Sequence, residues 1–265
     1  MSAADRLELR ETFNRVAERY DRIRPTYPAP LFDDLAGAGA TPGSRVLEIG
    51  CGTGQATIPL AERGYRLLAV ELGPELAAVA RRNLARFGDS VQVVTGAFER
   101  WPLPDEPFDV VFSATAFHWI DPEVRMAKSA DALRPGGLLA TVTTHHVLGG
   151  TVGFFAEMQE YYERFDPATP PGLRLRPADE IPRDDAEVSE SSRFGPATFH
   201  RHEFEVSYST AEYLDLLLTY SNHLALPEAD RKGLLDGIAG LIDDRYDGRV
   251  VKRYLNELRL TTREV

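Results

Sequence analysis

Short apolar runs and helix-period stretches alternate along the first half of this chain. Strands are predicted over 44–50, 66–71, 91–95, 108–114 and 137–144, where residues such as Arg66-Leu67-Leu68-Ala69-Val70 and Phe108-Asp109-Val110-Val111-Phe112 form compact apolar runs. Helical patterns fill 54–63, 74–87 and 122–133 between them. Such alternation implies a parallel sheet with helices on both faces. Ahead of it, Leu9, Phe13, Val16 and Tyr20 share one face of a helix predicted over 5–21, Pro25 and Pro28 break that helix, and a second is predicted over 30–38. Asp89 and Ser90 punctuate the third strand, and Arg134-Pro135-Gly136-Gly137 turns the chain into the fifth.

The pattern changes after residue 145. Residues 150–165 read as a helix carrying Phe154, Phe155, Met158 and Tyr162 near one face, whereas 166–197 are rich in proline and acids and have no period, as expected of a long loop. Phe199 to Tyr208 alternates as a sixth strand, 210–220 and 228–245 read as helices, and Val250 to Arg263 holds a seventh strand. No internal repeat and no clean interdomain linker is visible.

The densest chemistry lies at Glu48-Ile49-Gly50-Cys51-Gly52-Thr53-Gly54, between a predicted strand and a predicted helix. Glycines at every second position let a ligand approach the backbone, and a helix N-terminus offers unpaired N–H groups. A dinucleotide site would read G-x-G-x-x-G, with a pyrophosphate on the helix. This loop reads G-x-G-x-G and is led by the acid Glu48, which suits a cationic group better than a diphosphate. Glu71 closes the second apolar run about twenty positions after Gly50, where a mononucleotide half-fold sets a carboxylate on ribose hydroxyls. Ribose with a cationic, phosphate-free moiety describes S-adenosylmethionine.

In Val46 to Gly54, Val70-Glu71-Leu72, Pro107 to Phe112 and Leu133 to Leu139 the chain resembles the class I S-adenosylmethionine-dependent methyltransferases. The resemblance implies a Rossmann-like, doubly wound α/β fold: a seven-stranded, mostly parallel sheet with one antiparallel strand and a mainly helical substrate cap inserted after strand five. It divides a single domain, 1–265, into an N-terminal cover over the cofactor (1–40), a cofactor-binding core (41–145), a cap with strand six (146–246) and a last strand (247–265). It implies a cofactor set of Tyr20, Arg24, Glu48, Gly50, Cys51, Gly52, Thr53, Gly54, Glu71, Leu72, Ala97, Phe98 and Ala114, with Glu48 supporting the loop and the methionine amino group. Tyr20, Arg24 and Tyr27 lie in a segment similar to the "YD…RP.YP" stretch of one subgroup, whose N-terminal segment folds over the cofactor. Ala97 departs from the family, which often has an acid there for the adenine amine; backbone groups of Ala97 and Phe98, packing on Phe98, or Glu99 would serve instead. Cys51 reads as a small buried residue, not a nucleophile.

Loops at the carboxyl ends of parallel strands carry ligands in open α/β sheets. His118 is accordingly the candidate catalytic base, and Tyr27, Trp119, His145 and His146 are substrate-pocket candidates. His200, His202 and His223 have only their residue type in favour, and no zinc or magnesium ligand spacing is present.

Charge and composition narrow the acceptor. With 30 basic against 41 acidic residues and a net charge of −11, the chain is a poor binder of nucleic acid. Its one cysteine excludes an internal disulfide, and no basic-then-apolar signal or long apolar run is seen, so a soluble, cytoplasmic monomer or homodimer is expected. The expected reaction is methyl transfer from S-adenosylmethionine to an O, N or C nucleophile of a small molecule. The N-terminal stretch and Phe117-His118-Trp119 look similar to the trans-aconitate methyltransferase group, which esterifies a carboxylate. The alternatives are a non-catalytic methyltransferase-like binding domain and a dinucleotide-dependent oxidoreductase.

Overall fold

A computed structural model describes residues 9 and 12–264. Seven strands form one sheet in the order β3-β2-β1-β4-β5-β7-β6: β1 (Arg45–Ile49), β2 (Arg66–Glu71), β3 (Val91–Thr95), β4 (Phe108–Ala114), β5 (Leu133–His146), β6 (Thr198–Ser209) and β7 (Arg249–Thr262). The first five are parallel to their neighbours, and β7 runs antiparallel to both β5 and β6. The helices are α1 (Ala17–Ile23), α2 (Ala29–Gly37), α3 (Thr57–Glu62), α4 (Pro74–Leu84), α5 (Pro122–Ala132), α6 (Val152–Glu157), α7 (Gln159–Phe165), α8 (Ala186–Ser189), α9 (Thr210–Leu217), α10 (Ser221–Ala225) and α11 (Glu228–Arg245). The strand order reverses between β1 and β4, and a crevice opens at their carboxyl ends.

Burial explains the near-continuous apolar runs. From Val46 to Ile49 every residue of β1 is buried, because helices cover both faces of the parallel sheet. Val46 and Phe112 pack with Leu31, Phe32 and Leu35 of α2 on one face, while Leu47, Ile49 and Val111 pack with Ala130 of α5 on the other. Phe32 and Phe112 stack at 6.3 Å. A third cluster joins the cap to the antiparallel edge, through Phe154, Tyr213, Leu234 and Ile238 with Tyr208 and Tyr254 of the strands. No helix among the described residues is long and apolar enough to cross a membrane.

Some boundaries differ from those the sequence implies. Part of the helix predicted over 5–21 lies outside the described residues; what is described is a 3-10 turn at Phe13–Val16 followed by α1, which ends at Ile23 just before Pro25. The helix after the glycine loop starts at Thr57 instead of 54, because Gly54 has φ of +103°, incompatible with a helix. Arg134 to Gly137 is a bulged start of β5 and not a free turn: its backbone bonds to Arg263, and the register with β4 shifts between Phe108 and Val110. The stretch 150–165 is split into α6 and α7, and the helix expected over 210–220 stops at Leu217 and resumes at Ser221.

Helix α7 packs closely on α11 at two glycines of the latter. A Cβ on Gly237 would lie 2.2 Å from Tyr161 and one on Gly233 would lie 2.4 Å from Phe165, whereas one on Gly240 would meet nothing within 4 Å. Alanine is favoured over glycine by about 1 kcal/mol inside a helix, and overpacking costs about 1–3 kcal/mol. Gly240→Ala is therefore expected to stabilise the chain by up to about 1 kcal/mol and Gly237→Ala to destabilise it by about 1–2 kcal/mol, both read from urea unfolding.

Candidate functional site

The glycine loop leaves β1 in three left-handed steps, with φ of +72° at Gly50, +58° at Gly52 and +103° at Gly54. Only glycine adopts these readily. At Gly50 a side chain is also excluded by contact, since a Cβ would lie 2.5 Å from that of Ala116. Glu71 fixes the loop from the end of β2: Oε2 accepts the Gly52 N–H and Oε1 the Gly73 N–H, both at 2.9 Å. Burial pushes its pKa up, and the amides of Gly73 and Gly52 act in the opposite direction.

Glu48 is 1% exposed, and its Oε2 has no hydrogen-bond partner. Burial pushes its pKa to about 7, with the Glu71 charge adding to the rise. A buried carboxylate in this state favours a cation beside it. Cys51 is buried, and its thiol is pushed well up by burial and by Glu71 and Glu48, so it is not an activated nucleophile.

A cavity of about 440 Å³ occupies the crevice. Its wall includes Glu48, Gly50, Cys51, Gly52, Glu71 and Leu72 from the first two strand ends, Ala97, Phe98 and Glu99 after β3, and Ala114, His118 and Trp119 after β4. Tyr20, Arg24 and Tyr27 close it from the N-terminal side, and His146 lines it from β5. Thr53, Gly54 and His145 are not in its wall. Thr53 Oγ1 accepts a bond from Gln55 and its carbonyl one from Asn83, so it braces the loop from behind. Gly54 backs onto Leu84. His145 falls one position out of phase: strand alternation turns Thr144 and His146 to the cavity and His145 away, toward Glu257 and Arg201.

His118 sits at the cavity edge, 4.9 Å from the Trp119 ring centroid. Desolvation by the cavity wall, then the Arg125 charge, holds its pKa down to about 4. That makes it a weak base at neutral pH. His146 is lowered to about 2 by burial and by Lys252, and its Nε2 has no hydrogen-bond partner. Among the described residues, no three His, Cys, Asp or Glu side chains gather as metal ligands.

The wall also holds polar residues that the sequence reading did not single out, Thr115, Thr144, Tyr220, Lys252 and Asn256. A hydrogen-bonded chain runs from Tyr27 to Thr115 (3.0 Å), Thr144 (3.0 Å) and Asn256 (2.8 Å). Thr115 holds φ of +55°, an unfavourable value for a β-branched residue, where β4 ends. Arg24 lies 4.9 Å from the Tyr20 ring centroid and 4.4 Å from that of Tyr220, and gives Nε and Nη2 to the Thr219 hydroxyl and carbonyl at 2.8 Å each. Lys252 donates to the Tyr220 hydroxyl at 3.0 Å. Burial raises the Tyr220 phenol, but Lys252 and Arg24 more than offset this, and its pKa lies below the usual value. A signal for this wall was present: Lys252 and Asn256 are polar residues on the strand face that otherwise carries Val250, Tyr254, Leu258 and Leu260.

The family described as "Methyltransferase domain" matches residues 47–141. An uncharacterized methyltransferase of Mycobacterium tuberculosis is 38% identical over 137 residues, 52% of this chain and 54% of that protein. The chain thus spans about half the length of that relative. An uncharacterized methyltransferase of Geobacillus kaustophilus is 32% identical over 147 residues, 52% of this chain and 67% of that protein. The solved structure of a candidate type II methyltransferase from Anaeromyxobacter dehalogenans superposes with a TM-score of 0.60 at 25% identity, covering 89% of this chain and 97% of its own.

Glu48 gives the site a pH signature. An unfolded glutamate titrates near about 4.3, and the folded value is about 7, so between the two the folded chain keeps a proton that the unfolded chain has lost. The Glu48 contribution to stability is present below about pH 4 and is lost as pH rises through 7. Glu48→Gln is expected to gain on the parent across this window by on the order of 3 kcal/mol, read by urea unfolding of the ligand-free chain from about pH 4 to 8. His118, His146 and His223, lowered by burial to about 4, about 2 and about 4, act in the opposite sense below about pH 6.5, over much of the same window, but equally in both proteins.

Proposed function

The chain belongs to the class I S-adenosylmethionine-dependent methyltransferases, and from that premise we propose that it transfers a methyl group from S-adenosylmethionine to a nucleophile of a small molecule. The observation that carries this reading is the pair of buried acids around the glycine loop: Glu71, clamped by two amides, and Glu48, with an oxygen that nothing in the protein bonds. This donor set favours a ribose and an ammonium, and lacks the cations or phosphate-spaced glycines that a dinucleotide would want.

Each residue then has a specific task. Glu71 accepts ribose hydroxyls through lone pairs that its amide bonds leave free. Glu48 pairs with the α-ammonium, which also removes the cost of its buried charge. Gly50 and Gly52 let backbone approach the cofactor, Leu72 and Trp119 bound it, and Ala97 and Phe98 hold the base through backbone groups. Tyr20 and Arg24 cover the methionine end. Ala114, at the end of β4, leaves room where donor and acceptor meet. The cofactor supplies the activated methyl on its sulfonium, for a bimolecular displacement. The protein aligns the nucleophile and excludes water, which the N-terminal segment and cap accomplish by closing the crevice.

The resemblance to carboxylate-esterifying enzymes supports an acid as acceptor. A carboxylate is already deprotonated and needs no base, in keeping with the low pKa of His118. His118 then edges the pocket instead of moving a proton.

Calorimetric titration with S-adenosylhomocysteine tests the cofactor reading. Glu71→Ala is expected to weaken binding by about 100-fold or more, the worth of one or two hydrogen bonds to a charged group. Unchanged affinity would remove Glu71 from the ribose site, and no binding by the parent would sink the whole reading. His118→Ala, assayed by product formation from an acid acceptor, is expected to keep kcat within about tenfold, below the roughly 100-fold or greater loss typical of a removed general base.

A further inference from the structure

The β7 wall of the cavity carries a buried cation that has no ion-pair partner among the described residues. Lys252 is 5% exposed; its ammonium donates to the Tyr220 hydroxyl and lies 5.2 and 5.0 Å from the ring centroids of Tyr220 and Tyr254. Among the described residues neither Lys252 nor Arg24 forms an ion pair. A buried ammonium without a counter-ion is costly, and ring faces and one phenol recover only part of that cost. Acids outnumber bases 41 to 30 in this chain, and buried Asp166 acts on the same His223 ring as Lys252 and Arg24, yet among the described residues no acid pairs directly with either cation.

The second observation is an orphaned donor on the same strand face. Asn256 is 1% exposed, its Oδ1 is taken by Thr144, and its Nδ2 has no partner although the residue lines the cavity. Strand alternation puts Lys252, Tyr254 and Asn256 on one side of β7. His146, opposite Tyr254 on β5, adds an unpartnered Nε2. A cation and an amide donor facing one chamber match the oxygens of a carboxylate.

We propose that Lys252 and Asn256 form a subsite that binds a carboxylate of the methyl acceptor and so select an acidic substrate. This rests on the methyltransferase reading above. The cofactor has a carboxylate too, but Tyr20 touches the glycine loop, 3.5 Å from a Cβ on Gly52, and brings Arg24 to that end of the cavity. Lys252 instead sits at the Tyr220 hydroxyl on the β7 wall of the cavity, with Asn256 on the same strand face.

Calorimetry on the chain saturated with S-adenosylhomocysteine tests the subsite, using straight-chain carboxylates from butyrate to decanoate and the matching dicarboxylates, each beside its carboxamide. Acids are expected to bind at least tenfold more tightly than their amides. Lys252→Met is expected to lose at least tenfold in acid affinity while keeping S-adenosylhomocysteine affinity within twofold, and Lys252→Arg to retain acid binding. Asn256→Leu is expected to weaken acids more than amides. Equal binding of acid and amide, no binding by any acid, or undiminished acid binding in Lys252→Met overturns the subsite. A loss of S-adenosylhomocysteine affinity in Lys252→Met overturns it in favour of a cofactor role. Failure of the parent to bind S-adenosylhomocysteine would overturn the cofactor reading itself.

Discussion

One carboxylate holds the two loops of the crevice in place. Glu71 takes the Gly52 amide with one oxygen and the Gly73 amide with the other, joining the turn after β1 to the turn after β2. The glycine loop runs through left-handed angles, and its shape is held by this anchor, by backbone bonds from Gly50 to Val70 and from Gly54 to Cys51, and by the tight space between Gly50 and Ala116. The strand order supplies the rest. Because the strand order reverses between β1 and β4, the crevice lies where no crossing helix fills it.

The two halves of the cavity are built on different principles. On the glycine-loop side, acids predominate: Glu48 and Glu71 are buried, and both are raised in pKa by that burial. On the β7 side, Lys252 donates to the Tyr220 hydroxyl, while Arg24 lies near the rings of both Tyr220 and Tyr20. A cavity with opposite charge at its two ends orients a ligand pair as well as binding it.

The parallel half of the sheet was legible in the sequence because its strands are buried on both faces and read as apolar runs; all five were placed to within a few residues. The glycine loop and Glu71 were legible because spacing alone states their geometry. Thr53 and Gly54 lie outside the cavity wall because the loop keeps turning to Ala56, and only the φ of Gly54 shows that. His145 is turned away by the parity of β5, which depends on where the bulge at its start sets the register. The acceptor wall was least legible. Its residues come from α1, β4, β5, the turn at Thr219-Tyr220 and β7, and only the antiparallel pairing of β5 with β7 brings Thr144 beside Asn256 and His146 beside Tyr254.

Tyr220 lies between β6 and β7 in the sequence, Arg24 in the N-terminal segment and Lys252 on the last strand, yet both cations contact the one tyrosine. Three regions far apart in the chain thus share a single ring. The acceptor chamber is therefore not a module that drifts independently of the cofactor cover. A substitution at the ring or at either cation is therefore felt by the other two, and their effects are not additive.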